Sequence, residues 1–185
     1  LVIKNSKIGN GFLNAIKIRN IGGKSIEGIY YIYRKRMTGV DGESYVREYL
    51  RIFWQASGYY FIIDSIDPIT GKYRDIQGVM LFMDDCIWMI AHTSQPTAKI
   101  RVMCFSTRDW SSAIESSNRF FGVMSTTFLR FDSDILPGSL VVCLEKLKAS
   151  KDEYAERSRY FSLSEIQQIL SGGQIESINN AILWY

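Results

Sequence analysis

Histidine is almost missing from this chain: His92 is the only one among 185 residues. Proline and cysteine are also scarce, with three of each. One histidine leaves a structural zinc site without its usual nitrogen ligands. The cysteines, Cys86, Cys104 and Cys143, are odd in number, far apart and set in apolar runs such as VMCF and VVCL. No pair has the close spacing of a zinc or redox motif, so they read as buried thiols in a reducing cytoplasm. No excess of one charge sign exists either, since 22 basic and 19 acidic residues leave a net charge of +3. That balance excludes the electrostatic footprint of a nucleic-acid surface. There is no basic-then-apolar leader and no apolar run of about 18 residues, so neither a signal peptide nor a membrane span is expected. The chain opens at Leu1 rather than methionine, which raises the expectation of a segment upstream.

Apolar and aromatic residues are abundant: 46% of the chain is hydrophobic, with 11 Tyr, 10 Phe and 4 Trp. Such a composition excludes disorder and suits one β-rich domain with a small appendage. From Ile26 onward, runs rich in β-branched and aromatic residues alternate with turn residues: IEGIYYIYRKRM, YVREYLRIFWQ, YYFIIDSI, RDIQGVMLFM, CIWMIAH, KIRVMCFS, RFFGVMSTTFLR and SLVVCLEKL. Loops are expected at Gln95-Pro96, from Asp109 to Asn118 and at Pro137-Gly138. Eight strands with mostly short links predict an antiparallel meander rather than alternating β and α units. Several are apolar on both faces, and closure into a barrel-like, lipocalin-like sheet would remove their edges. The expected organisation is a linker or helix over residues 1–25, the barrel over 26–150 and a helical appendage over 151–185. In that tail, Ser162 and Glu165 have capping-box spacing, Leu163, Ile166, Ile169 and Leu170 recur at helical intervals, and Gly172-Gly173 supply a stop. A second short helix then carries Ile175, Ile178 and Ile182. This hairpin packs on the barrel or pairs across a twofold axis.

Few stretches suggest chemistry, and each has a plainer explanation. GGKS, Gly22 to Ser25, lacks the earlier glycine of a phosphate-binding loop and precedes a strand rather than a helix. DSIDPITG, Asp64 to Gly71, fails the ligand spacing of a calcium loop. It is instead a turn in which proline fixes the backbone and Gly71 takes a positive φ. Asp132 and Asp134 beside Pro137-Gly138 read as turn-capping carboxylates. No serine stands in a G-x-S-x-G elbow. The basic runs Arg34-Lys35-Arg36 and Lys146, Lys148, Lys151 read as solvated strand ends.

MDDCIWMIAH, Met83 to His92, gathers two carboxylates, a thiol and the histidine. If Asp84-Asp85 form the centre of a hairpin turn, Met83 faces Cys86, Leu81 faces Trp88, Val79 faces Ile90 and Gln77 faces His92. The acids then lie at the tip and His92 at the far end, roughly 20 Å away at about 3.3 Å per residue. An Asp-His dyad within the stretch is thereby excluded. Trp88 and His92, together with Tyr60, are the candidate ligand-binding residues, on a cavity or at its rim. No catalytic residue, metal ligand or cofactor is assigned.

The order of these signals resembles the C-terminal barrel-like regulatory domain of some bacterial Xre-type helix-turn-helix transcriptional regulators. The likeness covers about residues 26 to 148. It rests on Tyr30-Tyr31, on Tyr73 followed by Gly78, on Gly122 and on Val141-Val142, all packing or turn positions. The resemblance implies a cytoplasmic module that meets DNA only through an upstream domain this chain does not contain. It transfers no ligand or catalytic residue. The function expected is a non-enzymatic sensor or oligomerisation domain, binding a small apolar or aromatic ligand, assembling with copies of itself and spanning no membrane. The alternatives are a lipocalin-like small-molecule carrier, or an enzyme with a barrel-mouth site that pairs His92 with a carboxylate.

Overall fold

The computed structural model describes residues 20–21, 24–36, 45–55, 58–66, 71–83, 85–92, 100–110, 119–129, 135–147, 158–179 and 181–183. Its frame is the meander expected from the sequence: β3 (Gly28–Lys35), β4 (Tyr45–Gln55), β5 (Gly58–Ile66), β6 (Tyr73–Met83), β7 (Cys86–His92), β8 (Ile100–Ser106), β9 (Arg119–Leu129) and β10 (Ile135–Lys146). Each strand pairs antiparallel with the next, and β10 returns to pair with β3. Closure leaves the eight-stranded sheet without a free long edge, which lets strands apolar on both faces exist without pairing to another chain.

Alternation decides what fills the barrel. Tyr30 and Ile32 of β3, Leu50 and Ile52 of β4, Phe61 and Ile63 of β5, Met80 and Phe82 of β6, and Ile87 and Met89 of β7 share one parity and one buried cluster with Met103, Phe105, Met124 and Val142. Gly78 and Gly122 sit at inward positions of this set. A Cβ on Gly78 would lie 2.4 Å from the Phe61 ring, and one on Gly122 would lie 2.3 Å from the Phe105 ring. The two rings occupy the space a side chain would need, so only glycine fits.

One end of the barrel is closed by a residue read as part of a loop. A helical turn over 107–110 brings Trp110, fully buried, against Tyr30, Phe105 and Phe120 at centroid distances of 5.7, 5.3 and 5.0 Å. The Trp110 indole N–H donates to the Tyr30 hydroxyl (3.4 Å), which donates to the Ile26 carbonyl (2.7 Å). The polar tips of both rings are thus satisfied in an apolar interior.

Towards the other end lies a buried charge cluster. Arg34 does not behave as a solvated strand end, because its parity turns it inward, where Glu48 takes its guanidinium in a two-pronged contact (Nε to Oε2 3.0 Å, Nη2 to Oε1 2.9 Å). Lys148 and Lys151 of the second basic run lie outside the described residues. A second expectation also changes at Pro137-Gly138, which form no loop: both lie inside β10, opposite Thr127 and Thr126 of β9. Among the described residues, pairing on the other edge of β10 starts at Gly138, with β12 (Ala181–Leu183).

The C-terminal segment is more than a helical hairpin. It supplies β11 (Arg159–Phe161) beside β4 and β12 beside β10, with α1 (Leu163–Gln167) and α2 (Gly172–Asn179) between them. The Ser162–Glu165 capping box forms as expected. Gly172 and Gly173 do not stop the first helix, however. Tight bonds from the Gln168 and Ile169 N–H groups to the Glu165 and Ile166 carbonyls end α1 earlier, and the glycines open α2 behind Ser171, whose N–H is capped by Gln174 (3.0 Å). At the N-terminal end, β1 (Asn20–Ile21) and β2 (Lys24–Ser25) form a short antiparallel pair. Most of the linker or helix expected over residues 1–25 lies outside the described residues, as do the loop at Gln95-Pro96 and the aspartates Asp132 and Asp134. Gly71 has the positive φ, +67°, expected of the turn before β6.

Candidate functional site on the outer wall

The hairpin of β6 and β7 has the register read from the sequence: Met83 opposite Cys86, Leu81 opposite Trp88, Val79 opposite Ile90 and Gln77 opposite His92. Since Met80, Phe82, Ile87 and Met89 fill the barrel, the alternate residues Val79, Ile90, Trp88 and His92 project outward. Tyr60, on β5, has the same outward parity and lies opposite Val79. The three candidate ligand-binding residues therefore face neither the core nor an interior cavity. They stand on the barrel's outer wall.

On that wall, directly opposed residues continue from strand to strand as Phe53, Tyr60, Val79, Ile90 and Val102. Phe53 and Tyr60 are stacked, 6.3 Å apart with an interplanar angle of 24°. A second row runs through Gln77, His92 and Ile100. Val79, Ile90 and Ile100 remain 39%, 36% and 64% exposed, far above what apolar strand residues show when a neighbouring element covers them. Between the two rows is an open groove of about 470 Å³. Its sides are Tyr60, Val79, Ile90 and Ile100, its polar rim is Gln77 and His92, and Gly78 with Ala91 form its floor. Tyr60 and His92 come together in this groove, while Trp88 lies outside it, opposite Cys104 and Leu81.

Chemically, the groove offers apolar contact with three hydrogen-bonding groups at its edge: the Tyr60 hydroxyl, the Gln77 amide and the His92 imidazole. His92 is exposed, and no carboxylate among the described residues hydrogen-bonds it. Among the described residues, then, no acid/base pair is assembled around His92. Nor do the described residues gather three His, Cys, Asp or Glu side chains into a metal-binding group.

The strongest polar constellation escaped sequence reasoning. Glu48, fully buried inside the barrel, accepts from Arg34 Nε and Nη2, from Arg101 Nη1 (2.9 Å) and from Ser65 Oγ (2.6 Å). Four donors occupy the acceptor sites of a carboxylate. Burial alone would raise the Glu48 pKa, but Arg101 and Arg34 outweigh it and hold the carboxyl far below its ordinary range. Its acceptor sites are filled and its arginines hold it ionised, so Glu48 is a structural anchor. Its signal was parity: in YVREYLRIFW, Glu48 shares a face with Leu50 and Ile52.

Among the described residues, no helix is long and apolar enough to cross a membrane. Comparison of the chain with protein-family models, with curated proteins and with solved structures finds no match.

Proposed function

We propose that this chain is a non-enzymatic binding domain that takes a small apolar or aromatic ligand in the groove on its outer wall. The single observation carrying this reading is the groove itself, with Val79, Ile90 and Ile100 exposed around a hollow that has Tyr60, Gln77 and His92 at its margin. Isolated apolar side chains on a surface are ordinary, but contiguous ones rimmed by polar groups mark binding sites. A volume of about 470 Å³ falls within the usual range for small-molecule pockets. Full burial of one ring against these side chains contributes on the order of 1.5–3 kcal/mol, and the rim groups fix its orientation. In a carrier of lipocalin type the ligand would occupy the interior. Here the interior position is taken by Tyr59, Phe61, Phe105 and Trp110, which favours the outer groove.

The sensor role implied by the resemblance to Xre-type regulators is part of this proposal: occupancy is relayed to an upstream DNA-binding element. It requires a ligand that binds two states of the protein with different affinity. We read the compartment as the cytoplasm, supported by the three free cysteines.

The test uses anilinonaphthalene sulfonate, whose fluorescence rises in apolar sites. The unsubstituted chain is expected to bind it saturably, and Ile90→Glu to weaken that binding at least tenfold while the melting temperature stays unchanged. Equal binding by both proteins removes the groove as the site. A second reading is favoured by Met83 and Val123, which are 44% and 48% exposed and extend the apolar surface beyond the groove. They suit contact between two copies of the chain across a twofold axis. Light scattering separates the readings: Val123→Glu is expected to convert a dimer to a monomer while leaving dye binding intact.

A further inference from the structure

The three cysteines are divided between two environments. Cys143, on β10, is fully buried, and burial pushes its thiol up to about 12. Cys86 and Cys104 are half-buried on the outer wall, on the adjacent strands β7 and β8. The register sets Cys86 opposite Ser106 and Cys104 opposite Trp88. The two thiols are therefore diagonal neighbours on one face of the ladder. Their surroundings leave an approach for a small reagent, since Met83 beside Cys86 and Val123 beside Cys104 are both exposed. Sequence separation hid this pairing: the residues are 18 positions apart along the chain and meet only across the sheet.

We propose that Cys86 and Cys104 are a reversible thiol pair, oxidised to a cross-strand disulfide by a low-molecular-weight disulfide such as oxidised glutathione. The Cys86 thiolate attacks one sulfur of the small disulfide, breaking its S–S bond, forming a mixed disulfide at Cys86 and releasing one small thiolate. Cys104 then gives its proton to solvent and attacks Cys86 Sγ. The Cys86–Cys104 bond forms and the second small thiolate leaves. Two protons and two electrons pass from the cysteine pair to the small disulfide, which ends as two thiols. The order of attack follows from the surroundings of Cys104. Burial first, and then the neighbouring Cys86, keep the proton on Cys104, whose thiol is pushed up to about 11, so Cys104 is the resolving thiol.

The geometry also predicts how the bond behaves. Diagonal neighbours on one face lie about 7–8 Å apart at Cα, beyond the roughly 4.4–6.8 Å that a disulfide usually spans, so the backbone must move to bridge them. Bridging them draws β7 and β8 together, leaves a strained bond and makes it readily reducible, as a regulatory disulfide must be. The bridge would form next to Trp88 and one residue pair away from Ile90 of the groove, so oxidation acts on the wall where the ligand is proposed to bind. The thiol chemistry itself does not depend on that ligand.

The test is intact-mass analysis of the reduced, folded chain after incubation with oxidised glutathione, without denaturant, followed by peptide mapping. The expected product is lighter than the reduced chain by about 2 Da, contains a linked Cys86–Cys104 peptide, leaves Cys143 as a free thiol and reverts with dithiothreitol. Cys86→Ser and Cys104→Ser are each expected to yield no such product, stopping at the mixed disulfide or the free thiol. An unchanged mass in the unsubstituted chain, stable glutathione adducts on both cysteines, or a bridge involving Cys143 would each overturn the proposal.

Discussion

The barrel has two outer walls of similar composition and opposite fate. On one, formed by β3, β4 and β10, the outward residues Tyr31, Tyr33, Tyr45 and Cys143 are buried against Phe161, Ile166, Leu170, Ile175 and Ile178 of the C-terminal segment. On the other, formed by β5 to β9, the outward residues Val79, Ile90, Ile100 and Val123 remain exposed. The covered wall is also tied by polar contacts. The Tyr45 hydroxyl donates to Asn179 Oδ1 (2.9 Å), Arg119 reaches both Glu145 and Gln174, and the Arg47 guanidinium lies over the Tyr31 ring at 4.2 Å and the Phe161 ring at 5.3 Å. Burial followed by the Glu145 charge raises the Tyr33 pKa, so its hydroxyl stays a donor to Glu145 (2.9 Å). Apolar residues on the covered wall are explained by stability, because the chain itself buries them. Those on the exposed wall gain nothing from the fold, which is why the groove and the reactive thiols are sought there.

The largest test of this contrast removes the frame both walls share. Glu48→Ala strands Arg34 and Arg101 without their buried counter-charge and is expected to cost about 3–5 kcal/mol in urea unfolding. The same group predicts an acid dependence. Its folded pKa lies below the ordinary carboxyl value near 4.5, so its contribution is fully present above that value and fades as pH falls from there towards the folded pKa. Glu48→Gln should lose that part of the acid dependence between pH values of about 5 and 2; an unaltered profile would show that the carboxylate is not held ionised by its neighbours.

A smaller effect separates the walls directly. Ile178→Ala, on the covered side, deletes a fully buried side chain and is expected to destabilise by about 2–4 kcal/mol. If the cost were below about 1 kcal/mol, the helical cover would not be integral to the fold. The smallest change is expected for Ile90→Ser on the exposed wall, within about 0.5 kcal/mol of the unsubstituted chain. A penalty as large as that of Ile178→Ala would mean that Ile90 is buried in solution by a partner or a second copy.

Legibility followed the range of the forces involved. All eight barrel strands and the register of the β6–β7 hairpin could be read in advance, because alternation and turn chemistry act over a few residues. The Ser162–Glu165 box was readable for the same reason. Arg34 reads as a strand-end charge because its partner Glu48 is on the next strand and Arg101 much further along. Pro137-Gly138 reads as a loop because proline usually breaks a ladder, yet the pairing of β10 with β9 runs through both residues. Trp110, inside a serine-rich stretch, gave no local sign that it closes the barrel. Of the candidate site, the sequence singles out Tyr60 and His92 but not the wall they stand on, and the diagonal approach of Cys86 and Cys104 is invisible along the chain.

By itself, then, the order of side chains determined which residues form strands, where the hairpin turns and which residues share a face, since these are local consequences of a two-residue period. Tertiary structure decided which face became the inside of the barrel, that Glu48 could be buried with its arginines, and which outer wall the C-terminal segment covered. Those outcomes depend on closure between β3 and β10 and on contacts between residues more than a hundred positions apart, such as Tyr45 and Asn179, where no local pattern carries the information.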